Sequence, residues 1–183
     1  MQFRTYSIEG LLEIVPHKVG DDRGYFSEVF RRDAFDAKVP GIEFVQDNQS
    51  LSVKAGTIRG IHFQSHPAAQ GKLVRCIAGK LFDVAVDLRR GSPTFGQWQS
   101  VILTPEACNQ FWVPVGFGHA FCSLEPNSVI SYRVSEYYSA ENDRGVSWDD
   151  PDIGVDWPAV TDASTLSPKD RKQPRLADLQ AYF

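Results

Sequence analysis

The sequence predicts a mainly β domain, a sandwich or barrel with few and short helices, and three observations lead there. Seven short segments are rich in β-branched and aromatic residues, and Gly, Pro, Asn or Asp often bounds them. One of them, KLFDVAVDL (80–88), alternates strictly: Phe82, Val84, Val86 and Leu88 share one face, while Asp83, Ala85 and Asp87 share the other. Helical periodicity is confined to two places. Many short strands with few helices are the pattern of sandwiches and barrels.

In chain order, LLEIV (11–15) is the first strand, a compact apolar run, and YFSEVF (25–30) is the second. DAFDAKV (33–39) follows as a helix of two turns. FVQDNQSLSV (44–53) reads as a strand although β-propensity disfavours its Asp47 and Asn48. KLVRCIA (72–78), KLFDVAVDL and QWQSVIL (97–103) form a run of strands, and VISYRVSEYY (129–138) is the last. Asp149 to Pro174, rich in Pro and Asp, predicts an irregular segment packed on the barrel. RLADLQAYF (175–183) predicts a C-terminal helix. There is no internal repeat.

The 183 residues suit one domain spanning 1–183, long enough to bury a core without staples. A formal net charge of −4 disfavours a nucleic-acid surface, so an anionic ligand needs a local cluster of Arg and Lys. Cys76, Cys108 and Cys122 lack metal-type spacing and read as reduced thiols. The N-terminus lacks a basic start followed by an apolar block, and no apolar run approaches the ~20 residues that span a bilayer. These features predict a cytoplasmic protein with no membrane partner.

Polar residues interrupt the β pattern in four stretches. In GIHFQSHPAAQGKL (60–73), His62 and Gln64 share one strand face and Ile61 and Phe63 the other. The apolar pair belongs in a packed layer, so His62 and Gln64 face solvent or a polar cavity. Taken alone, His62 reads as a structural or surface histidine. DRGYFSEVF (22–30) gathers Arg23, Phe26 and Glu28; FVQDNQS (44–50) carries Gln46, Asp47 and Asn48; WVPVGFGHAF (112–121) ends near His119. Alone, Asn48 reads as a bulge residue and Arg23 as a solvated charge.

G-x5-H-x-[HQ] at 56–64 and P-x-G-x-x-H at 114–119 resemble the two signature stretches of the cupin jelly roll. Most cupins hold a divalent metal through paired histidines, a carboxylate and a later histidine. Here Gln64 stands at the second histidine position and no Glu follows at the usual spacing, so a metal site is not expected. DDRGYFSEVF, FVQDNQS, RGIHFQ, QGKLVRC, SPTFGQW, PVGFGHAF, EYYSAENDRG and LSPKD together resemble the dTDP-4-dehydrorhamnose 3,5-epimerase family over residues 20–170.

The resemblance implies cofactor-independent inversion of the carbons flanking the C4 ketone of dTDP-4-dehydro-6-deoxy-D-glucose. It implies His62 as the base, oriented by Asp170, with Lys72 facing the enolate oxygen and Tyr132 as the acid on the opposite face. Asp83 is a second carboxylate near this strand, with a structural role equally open. The resemblance also implies that Arg23 and Arg59 meet the pyrophosphate. Lys169 beside Asp170 extends toward a phosphate. Tyr138 and Phe26 are the candidates for stacking on thymine, and Glu28, Gln46, Asn48 and His119 for polar contacts to sugar and base. Asp47 shares the same stretch without a clear direct role. Where the family reads YYxPxxE this chain reads YYSAEND, so Asp143, or alternatively Glu141, replaces the family glutamate. His17 and His66 match no role. The rival readings are a single-carbon epimerase of another deoxysugar pathway, a metal-dependent cupin and a non-catalytic sugar-binding cupin. The family resemblance further implies a homodimer in which an N-terminal strand carries residues near Phe26 and Glu28 into the neighbouring site.

Overall fold

Two antiparallel sheets face each other in a computed structural model that describes residues 1–183. The six-stranded sheet contains β1 (Gln2–Thr5), β2 (Leu12–Val15), β5 (Gln46–Ser52), β7 (Lys72–Ala78), β10 (Gln110–Val113) and β12 (Ser128–Val134), ordered β1-β2-β10-β7-β12-β5. The five-stranded sheet contains β6 (Ile58–Gln64), β8 (Leu81–Asp87), β9 (Trp98–Leu103), β11 (Phe117–Ser123) and β13 (Asp143–Gly145), ordered β13-β6-β11-β8-β9. A separate hairpin joins β3 (Lys18–Asp21) to β4 (Gly24–Ser27). The architecture is the jelly-roll type that the resemblance implied. No helix is long and apolar enough to cross a membrane.

Alternation along the strands builds three apolar layers. Between the sheets lie Val74, Cys76, Ala85, Phe111, Phe121 and Ile130, all buried. Val84 and Val86 point the other way with Ile61 and Phe63, into a layer between the five-stranded sheet and the C-terminal segment. That is the two-faced division read from KLFDVAVDL. The third layer lies outside the six-stranded sheet, where Phe35 meets Trp112 edge-on at 5.3 Å beside Leu73 and Ile14. Burial of Phe35 holds the short helix α1 (Arg32–Asp36), which lacks a side-chain cap at its N-terminus.

Two expected elements differ. YFSEVF leaves the hairpin at Ser27, so only its first half is strand. Residues 175–183 form no helix beyond a single 3-10 turn, Leu176–Asp178. Nine residues make a marginal helix, and here Leu176 and Leu179, with Tyr182 and Phe183, pack extended on the second layer. Arg90 binds the Leu179 carbonyl at 2.5 Å through its guanidinium and the Phe183 carbonyl at 3.2 Å through its backbone N–H. The irregular segment before it carries Asp170, in a 3-10 turn (Asp170–Lys172) that packs against β6.

Candidate active site

Strict alternation along β6 would send Arg59 and His62 to opposite faces, yet both line the same cleft. A bulge at Gly60 is the reason. On the partner strand β11, Phe121 pairs with Arg59 and His119 with His62, so three steps on β6 oppose two on β11. Gly60 has φ +130°, and a Cβ there would lie 2.4 Å from the Ala120 Cβ. Only glycine allows this close approach.

The cleft lies between the sheets and has two lobes of about 190 and 250 Å³ that share His62, Lys72, Tyr132 and Lys169. His62 enters from the five-stranded sheet, while Lys72 on β7 and Tyr132 on β12 enter from the six-stranded sheet. His62 Nε2 lies 2.5 Å from an Asp170 carboxylate oxygen. Asp170 is buried, and its backbone N–H is held by the Ser167 hydroxyl at 3.1 Å. Burial is the largest influence on this carboxyl and pushes its pKa up, but the His62 bond, the Ser167 bond and Lys169 together hold it below the usual range. It is thus an anion that fixes the imidazole ring.

Lys72 shows the opposite effect. Burial lowers its pKa to about 8, against the pull of Asp143 and Asp83. The Tyr132 phenol is pushed up by burial, with Arg59 pulling the other way, so it remains a proton donor through neutral pH. A carboxylate-oriented imidazole and a protonated phenol on facing walls, with a cation beside them, can remove a proton from one face of a bound molecule and return one to the other.

Gln64 has a structural task. Its amide N–H groups reach the Ala68 and Tyr137 carbonyls at 2.6 and 3.1 Å, and its oxygen accepts from the Ser139 N–H at 2.8 Å. It therefore ties the loops that carry Ala68, Tyr137 and Ser139 to β6. No three His, Cys, Asp or Glu side chains converge as a metal cage would.

At the outer rim, Tyr138 donates to Asp143 at 3.2 Å, and Lys169 pairs with the same carboxylate. Asp143 rather than Glu141 thus lines the cleft. Gln46 donates to Asn48 at 2.8 Å and accepts the Tyr138 backbone N–H at 3.1 Å. Arg59 reaches the Leu51 carbonyl at 3.1 Å at the other end. His119 is buried, with Nε2 at 2.9 and 3.0 Å from the two Asp83 oxygens.

Four sequence-predicted residues lie outside this cleft. Asp47 is corrected: alternation along β5 turns Gln46 and Asn48 inward and Asp47 outward, where it pairs with Arg133 at 3.2 Å. Arg23 is exposed at the hairpin turn and pairs with Asp21. Phe26 is 73% exposed on the hairpin, and Glu28 is exposed just beyond it. Three polar lining residues escaped the sequence reading, Ser50, Gln70 and Ser167. The pairing of Asp83 with His119 escaped it too. Gln70 and Ser167 lie in irregular stretches inside QGKLVRC and LSPKD, where Lys72 and Asp170 drew the assignments, and the Asp83–His119 pair depends on the β8–β11 register.

A jelly roll with an acid–base cleft between its sheets defines the chain as an isomerase of the sugar-epimerase type. Residues 5–178 match the model of the dTDP-4-dehydrorhamnose 3,5-epimerase family, and the chain belongs to that family. It is 55% identical over 183 residues to the dTDP-4-dehydrorhamnose 3,5-epimerase of Sinorhizobium fredii, covering 100% of this chain and 93% of that one. Among solved structures it resembles the Legionella pneumophila dTDP-6-deoxy-D-glucose-3,5-epimerase in complex with dTDP-4-keto-L-rhamnose. The TM-score is 0.91 at 41% identity, over 98% of this chain and 95% of that one. It also resembles a 3'-monoepimerase from Streptomyces bikiniensis in complex with dTDP-quinovose, with a TM-score of 0.87 at 36% identity, over 94% and 86% of the two chains.

Proposed function

We propose that the chain epimerises dTDP-4-dehydro-6-deoxy-D-glucose at C3 and C5, giving dTDP-4-dehydro-L-rhamnose for dTDP-L-rhamnose biosynthesis. The C4 ketone acidifies the hydrogens on both neighbouring carbons. His62, oriented by Asp170, removes one as a proton, and the electron pair moves to the ketone oxygen as an enolate. Lys72 stabilises that oxygen. Tyr132 returns a proton from the opposite face, which inverts the carbon. The observation that carries this reading is the entry of His62 and Tyr132 from facing sheets, with Lys72 in the same cleft.

Solvent exchange tests it. In deuterated buffer, His62→Ala is expected to abolish deuterium uptake at C3 and C5. Tyr132→Phe is expected to keep much of the uptake and to lose most net inversion. Undiminished epimerisation in His62→Ala would rule the assignment out. A second reading, inversion at one carbon only, is favoured by the likeness to the monoepimerase; proton NMR of the product separates the two.

For binding, Arg59 and Lys169 suit the pyrophosphate, and Tyr138 offers an aromatic face at the rim. Gln46, Asn48, His119 and Asp143 supply polar contacts to sugar and base. Arg23, Phe26 and Glu28 belong to the same binding set through a homodimer: the projecting hairpin of one subunit completes the cleft of its partner. The exposed Val19, Tyr25 and Phe26 on that hairpin support this arrangement. Residues 1–183 act as one epimerase domain, and the unpaired cysteines suit a cytoplasmic setting.

A further inference from the structure

The cleft holds two carboxylate–imidazole pairs, and the reaction above uses only one. His62 with Asp170 and His119 with Asp83 sit on neighbouring strands, and the two histidines are register partners. Asp83 is fully buried on the inner face of β8, and both of its oxygens meet one donor, His119 Nε2. That ring nitrogen therefore carries a proton, held by both oxygens of Asp83.

Lys72 lines the same lobe of the cleft as His119. Two carboxylates act on the Lys72 ammonium, Asp143 first and Asp83 second. Asp143 is already paired with Lys169, whose own charge opposes protonation of Lys72. Asp83 is bound only by the His119 ring. The other charged or titratable groups around the cleft are Arg59 and His62 on β6, His119 on β11, Tyr132 on β12, and Lys169 and Asp170 on the C-terminal segment.

We propose that Asp83 is a positioning residue for the epimerisation: it locks the His119 ring and supplies the buried negative charge that keeps Lys72 an ammonium facing the enolate oxygen. No proton passes through Asp83, and it touches no reacting atom. The assignment rests on the reading of Lys72 given above. It accounts for the burial of a carboxylate whose pKa burial itself raises, against His119 and Lys72, which favour the anion. An unpaired anion there would be costly, and between an imidazole and an ammonium it is compensated.

The test is the pH profile of kcat/KM in Asp83→Asn. In the parent, the basic limb is expected where the buried Lys72 loses its proton, near pH 8. Removing a neighbouring anion lowers the pKa of a cation, so the limb is expected to move toward acid by about one pH unit. kcat at neutral pH is expected to fall roughly 10-fold or more, with KM changed much less. His119→Asn keeps the Asp83 charge and is expected to leave the limb in place while weakening substrate binding. A limb unmoved in Asp83→Asn overturns the proposal. So does a loss of kcat that merely tracks a loss of folded protein in a thermal melt. Should Asp83→Asn fail to fold, the pair Asp83→Asn with Lys72→Met is expected to fold again, because the uncompensated ammonium is gone; an unfolded double variant overturns the proposal as well. Parental deuterium uptake at C3 and C5 is measured alongside, and its absence would count against the epimerase reading, not this one.

Discussion

Lys72 is the side chain on which burial and function collide most directly. Burial lowers its pKa to about 8, and the carboxylates that oppose this are bound to other groups. A cation so placed is poorly hydrated until an anion forms beside it, which is the condition for strong stabilisation of an enolate. Lys72→Met is expected to lower kcat by roughly 10²- to 10³-fold, the usual effect of losing a donor to a developing oxyanion. The melting temperature should stay level or fall, because the loss of a buried cation is offset by an Asp83 carboxylate left with the His119 ring alone. Steady-state kinetics and a melt check both halves, and a kcat near the parental value would remove Lys72 from the chemistry. His62, Lys72, Tyr132 and Asp170 are legible as residues of one cleft through the family resemblance, which implied each of them and not their distances. Asp47 is not, because its neighbours Gln46 and Asn48 suggest ligand contact while the pleat turns it outward. Asp83 is legible as an inward residue, but its bond to His119 depends on a register that no local pattern encodes.

The next scale is the strand, and β6 shows what one glycine does there. Without the bulge, a period of two would remove Arg59 or His62 from the cleft. Gly60→Ala forces a Cβ against Ala120 and a positive φ that L side chains rarely adopt. The expected cost is roughly 2–4 kcal/mol, from strain and overpacking together. Urea unfolding should report it as a lower midpoint, and phosphate-end contacts through Arg59 should weaken in parallel. An unchanged midpoint would mean that the strands part easily and that the bulge is not held by packing. The KLVRCIA and KLFDVAVDL segments are read correctly from sequence because their apolar periods agree with their final environments on both faces. RLADLQAYF is misread because its spacing of Leu and aromatic residues suits a helix as well as an extended strap. The choice falls to the apolar layer it covers and to Arg90, which takes two of its carbonyls.

At the scale of the whole molecule, the β3–β4 hairpin stands apart from both sheets and presents Val19, Tyr25 and Phe26 at 59–73% exposure. Lys18 tethers its base to the Pro105 and Glu106 carbonyls, at 2.8 and 2.6 Å. Leu51, Val53 and Ile77 are also exposed, Leu51 and Ile77 on the outer face of the six-stranded sheet beyond the cover of α1. Arg23, Phe26 and Glu28 do not line the cleft of their own subunit. In a two-fold dimer each site would combine His62 of one subunit with the hairpin of the other. Complementation follows from that geometry. His62→Ala and the paired change Arg23→Ala with Phe26→Ala should each be nearly inactive alone. Mixed after unfolding and refolding together, they form heterodimers in which one site keeps every group and the other loses both sets. An equal mixture should therefore recover about one quarter of parental activity per subunit, from statistical pairing of a two-fold dimer. Recovery should fall on dilution as the dimers separate, and sedimentation should track it. If the mixture stays inactive while sedimentation reports dimers, the hairpin does not cross. If the Arg23 and Phe26 variant is fully active alone, the hairpin plays no part in binding.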